Sequence, residues 1–92
     1  MAPVAPRGVQ TVILVAHADA WVRQVLVELF ARAGWDTRQV SNGATAARLA
    51  LQVRPRLIVL GPRLPELCPG ELTMMLQSDA RTRAIPVILL AV

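Results

Sequence analysis

The sequence contains no lysine and no tyrosine, a single cysteine and only three aromatic residues, and each shortage removes an explanation. One thiol, Cys68, excludes a disulfide scaffold within the chain, because a bridge needs two. With neither a basic neighbour nor a second cysteine in register, it reads as an incidental loop thiol rather than a redox centre. Aromatics at 3% leave few platforms on which bases could stack. No apolar run approaches the roughly 20 residues that cross a bilayer, and no membrane association is expected. The opening Met1–Gly8 lacks the long apolar core of a secretion signal. There is no Gly-rich phosphate loop, no nucleophile–base pair and no spaced His/Cys cluster, so the sequence does not read as an enzyme.

What is present is hydrophobic: 54% of 92 residues, against 17% charged. A chain this apolar can bury enough surface to offset the entropy of ordering, and its length suits one small domain. A cytoplasmic location is expected. The net charge of +4 sets ten arginines against six carboxylates, and the arginines are spread from Arg7 to Arg83 without a cluster. Nucleic-acid binders concentrate their basic residues, so a solvated arginine surface is favoured and a nucleic-acid-associated protein is the alternative.

Residues 1–10 read as a flexible, proline-containing lead and 11–92 as one α/β domain. Thr11–Ala16 is a continuous apolar run, the pattern of a strand covered on both faces. Asp19 stands as a helix N-cap, followed by Val22, Val25, Leu26, Leu29, Phe30 and Ala33 on one helical face, with Gly34 closing it. Trp35–Val40 is a short second strand. Ser41-Asn42-Gly43 opens a second helix marked by Ala46, Leu49, Ala50 and Val53 and stopped at Pro55. Leu57–Leu60 is a third strand. A third helix of about two turns follows, with Leu72, Met75 and Leu76 inward, and residues 78–84 read as a polar loop. Pro86 opens a last apolar run to Val92. Alternating strands and helices with solid apolar strands predict right-handed crossovers and a parallel, flavodoxin-like sheet.

These stretches resemble the receiver domain of response regulators, the phosphorelay module of two-component signal transduction. The resemblance rests on Val12–Ala16 with Arg23 behind it, Arg32-Ala33-Gly34-Trp35, Pro55–Leu60, Leu64-Pro65, Glu71-Leu72 and, most specifically, Asp79–Leu90. It implies a sheet truncated after its fourth strand. Receivers hold Mg²⁺ with an acidic pair after the first strand and take phosphate on an aspartate after the third. They sense it with a hydroxyl residue after the fourth and a lysine after the fifth. Those positions fall here on His17 and Ala18, on Gly61 and on Ala91, with Asp19 the one acid retained nearby.

Glycine has no side chain to phosphorylate, and Mg²⁺ needs oxygen ligands, so neither Mg²⁺ nor a phosphoryl group is expected at these positions. His17, at a strand's carboxyl end, is read as filling a vacated acidic position rather than as a metal ligand. The domain is expected to act through a protein partner or as a homodimer. The candidate surface is Trp21 with the uncharged last-strand edge, Pro86, Val87, Ile88, Leu89 and Leu90. Met74 and Met75 are expected to pack in the core or at its edge. A fragment of a larger response regulator, without independent activity, is a further alternative.

Overall fold

The computed structural model describes residues 12–90. Seven elements alternate: β1 (Val12–Ala16), α1 (Ala20–Arg32), β2 (Asp36–Val40), α2 (Gly43–Val53), β3 (Leu57–Leu60), α3 (Pro69–Ser78) and β4 (Val87–Leu89). All pairs are parallel, in the order β2-β1-β3-β4. Leu14 sits opposite Arg38 on one side and Ile58 on the other, and Ile58 in turn opposite Val87. The expected fold class is therefore the observed one. No helix among the described residues is long and apolar enough to cross a membrane.

The caps follow from local chemistry. Asp19 Oδ1 accepts from the Trp21 and Val22 amides at 2.8 and 3.4 Å, satisfying donors that the first turn of α1 cannot pair internally. Asn42 does the same for α2 through the Thr45 amide at 2.8 Å. Gly34 takes φ 89° after α1, as its position suggests.

β1 is buried along its whole length, and alternate residues feed two cores. Leu14 and Ala16 join Ile58 and Leu60 of β3, Ala46 and Ala50 of α2, Leu64, and Leu72 and Leu76 of α3. Ile13, Val15 and Val59 face α1 instead, with Leu26, Phe30, Trp35, Leu57 and Leu90 packed around them.

Several expectations change. Val25 and Leu29, placed on the inner face of α1, are exposed, Leu29 by 55%. α1 contributes no fully buried residue; among the described residues it is the one helix on its side of the sheet. Met75 and Met74 point outward, at 52% and 71% exposure, while Leu72 and Leu76 alone carry the inner face of α3. Residues 78–84 are not wholly a polar loop: Ser78 ends α3, and Thr82 is buried, its hydroxyl donating to the Leu76 carbonyl at 2.6 Å. Trp35 precedes β2 rather than joining it. β4 is three residues long, and Thr11, Ala91 and Val92 lie outside the described residues, as does the lead 1–10.

Candidate functional site

The carboxyl ends of β1 and β3 lie side by side, tied by the Gly61 amide donating to the Ala16 carbonyl at 2.7 Å. In open α/β sheets this rim is where ligands gather. The structure brings His17, Ala18, Asp19 and Gly61 together there. Ala91, the fifth position singled out, is outside the described residues.

His17 is half-buried and its ring lies over Gly61. A Cβ built on Gly61 would stand 2.5 Å from His17 Cδ2 and 2.8 Å from Cγ, distances that real atoms do not tolerate. Glycine is needed here for close approach, not for an unusual φ. The imidazole thus fills the space into which any side chain at position 61 would begin to grow. Its Nδ1 accepts from the Asp19 amide at 2.9 Å, which leaves the ring proton of the neutral form on Nε2.

The remaining polar groups of the β1–α1 loop are also engaged. The Asp19 carboxylate is turned to the helix start, as described above. Arg23, one turn into α1, donates through Nη1 to the carbonyls of His17 and Ala18 at 2.6 and 3.3 Å. Its Nε reaches Gln39 Oε1 of β2 at 3.2 Å. A guanidinium therefore staples the loop to the neighbouring strand, a role that residue identity alone did not signal. Among the described residues no group of three or more His, Cys, Asp or Glu is placed to hold a metal ion.

The proposed interaction residues separate into two sets. Trp21 is 74% exposed, and Ile88 and Leu89 are exposed by 46% and 57%. Val87 and Leu90 instead turn partly inward, each packed against one of the two cores. Pro86 is exposed, but its carbonyl accepts from the Ile58 amide at 3.0 Å, and the Leu90 amide donates to Leu60 at 2.8 Å. By the alternation of a parallel ladder, Val87 and Leu89 then direct their backbone groups outward. Cys68 caps α3 by position only, its thiol 3.1 Å from Glu71 Oε1.

No protein-family model matches the chain. Similarity to individual proteins is nonetheless clear. The polar-differentiation response regulator DivK of Brucella anthropi is 39% identical over 61 residues, covering 66% of this chain and 50% of that protein. The DNA-binding dual master transcriptional regulator RpaA of Synechocystis is 32% identical over 78 residues, 85% of this chain but 32% of RpaA. Among solved structures, the signal receiver domain of a signal transduction histidine kinase from Syntrophus aciditrophicus matches with TM-score 0.84 and 30% identity, over 89% of this chain and 62% of that one. This chain thus spans half or less of the length of these two curated relatives. Strand order, helix placement and sequence agree, and the chain belongs to the response-regulator receiver family.

Proposed function

We propose that this receiver domain is a non-enzymatic signalling module that docks to protein without taking up phosphate. One observation carries the reading: the His17 ring lies where a side chain at position 61 would have to stand. An aspartyl phosphate needs a carboxylate at that place, and glycine offers none.

The fit to Mg²⁺ is equally poor. Magnesium prefers near-octahedral oxygen ligands, usually with one or two carboxylates. Asp19, the sole acid of the β1–α1 loop, is committed to the α1 amides, and a cationic guanidinium already occupies the loop carbonyls. The donor set therefore does not suit the ion.

Docking is supported by the exposed apolar side chains of Ile88 and Leu89 on a sheet edge whose outward backbone groups can pair with another strand, in a partner or a second copy. The experiment is incubation with acetyl phosphate and Mg²⁺ followed by intact-mass measurement. An unchanged mass is expected; an acid-labile phosphoryl adduct on this chain would overturn the proposal.

A further inference from the structure

Arginines that are scattered along the sequence are gathered by the fold. In an all-parallel sheet every strand begins at the same end, so the α1–β2, α2–β3 and α3–β4 connections all lie there. Arg32 ends α1, Arg54 and Arg56 flank the turn into β3, and Arg81 and Arg83 stand on the way into β4. All five are exposed. The connections are close to one another. The Arg56 amide donates to the Val12 carbonyl at 2.8 Å, and Asp79, held down first by Arg81, also feels the charge of Arg54. Two carboxylates share this end, Asp36 at the start of β2 and Asp79. Among the described residues the one ion pair is Arg81–Asp79, which leaves Arg32, Arg54, Arg56 and Arg83 unpaired. Glu28, one turn before Arg32, is engaged by Gln24 at 3.1 Å. Residues 1–11 add Arg7 and no carboxylate. The opposite end of the sheet instead mixes Asp19, Glu66 and Glu71 with Arg23 and Arg63.

We propose that this basic end of the domain binds the phosphate backbone of duplex DNA without reading its sequence. The surface is remote from the His17–Gly61 rim, and the inference goes beyond the docking reading above. Arg32 and Arg54 sit at helix C-termini, where a cation is favourable without any ligand. Arg54 is still a costly choice there, because its φ of 50° is the left-handed geometry that glycine or asparagine adopts most readily. Arg56 and Arg83 have no such local reason. The span selects the partner. β2, β3 and β4, which these connections enter, spread over about 14 Å at about 4.8 Å per neighbour. Duplex DNA carries one charge per ~1.7 Å of axis, so that length holds about eight phosphates, roughly half of them on the near side. An extended acidic peptide turns a side chain to one face every ~6.6 Å and would offer about two carboxylates over the same span. Four unpaired guanidiniums match the phosphates, whose oxygens also suit the guanidinium fork. Stacking on single-stranded bases is not served, because Phe30 and Trp35 at this end are packed against the core.

The probe is a fluorescein-labelled DNA duplex of about 12 base pairs, titrated with the full chain and read by anisotropy. Four neutralised phosphates give a log–log salt slope of about −3.6, so affinity should fall on the order of a hundredfold between about 50 and 200 mM salt. Arg54→Gln, Arg56→Gln and Arg83→Gln together should reduce that fall to about fourfold, with circular dichroism unchanged. Each alone should take about 0.9 from the slope, which decides the matter even where the triple variant fails to fold. Arg38→Gln, Arg48→Gln and Arg63→Gln, exposed arginines away from this end, remove the same charge and should leave the slope as it is. A second duplex of unrelated sequence should bind equally well. Absence of binding at about 50 mM salt, or equal flattening by the two triple sets, overturns the proposal. So does a glutamate peptide that displaces the duplex charge for charge, because the occupant is then an acidic protein segment.

Discussion

The two faces of the sheet are built from similar residues yet are finished differently. On one, α2 and α3 seal nine buried side chains, from Leu14 to Leu76. On the other, α1 is the single helix among the described residues, over Ile13, Val15 and Val59, and Val25, Leu29 and Ile88 stay exposed. The difference is one of width. Four strands about 4.8 Å apart span some 14 Å between the outer pair, more than one helix of about 10 Å can cover. An apolar stripe therefore marks a face that can be buried, and a neighbour of adequate width decides whether it is.

The sharpest way to test this contrast is to cut the same side chain on both faces. Leu72→Ala removes a side chain with no exposure and should lower stability by about 3 kcal/mol in urea unfolding. Leu29→Ala, half in solvent, should cost less than about 1 kcal/mol. Equal losses would mean that α1 is as tightly packed as α3. On the sealed face, Thr82→Val keeps shape and removes the hydroxyl that satisfies the Leu76 carbonyl, with an expected loss of about 1–2 kcal/mol.

At the rim between the faces, Gly61→Ala sets a methyl against the His17 ring and should cost about 1 kcal/mol. Much of that cost should vanish when His17 is also replaced by alanine, because the clash is with a movable side chain. A double-mutant cycle measures this coupling, and additive effects would show that the ring does not fill that space.

Much of the architecture was legible from the sequence, and the failures share a cause. Asp19 and Asn42 announced their helices because capping is a local matter between neighbouring atoms. The solid apolar run of β1 announced a central strand for the same kind of reason. Leu29 and Met75 were misjudged because periodicity reports which residues share a face, not what lies opposite. Thr82 was missed because a buried hydroxyl depends on a carbonyl six residues earlier. At the rim, the identities at positions 17, 18, 19 and 61 could be read directly. The imidazole seated over Gly61 and the Arg23 staple could not, since both arise from tertiary approach between β1, β3 and β2.

The smallest effect concerns the connection that carries the chain from α3 into β4. Asp79 accepts from the Arg81 guanidinium at 2.8 and 3.1 Å and from the Arg81 amide at 2.8 Å. The Arg81 side chain, with help from its amide, holds the carboxyl down at about 2 instead of its ordinary 3.8. A folded-state value below the unfolded one means that the contribution is complete above pH ~4, where both states are ionised, and is lost as pH falls toward 2. Acid should therefore lower the urea midpoint across that window, and Asp79→Asn should flatten that part of the profile while leaving a lower plateau at neutral pH. Because the pair is open to water, the change is small, and added salt should shrink it further. An unaltered slope in Asp79→Asn would assign the acid sensitivity to other carboxylates and leave the entry to β4 held by the backbone bonds from Thr82 and Arg83 to the Asp79 carbonyl.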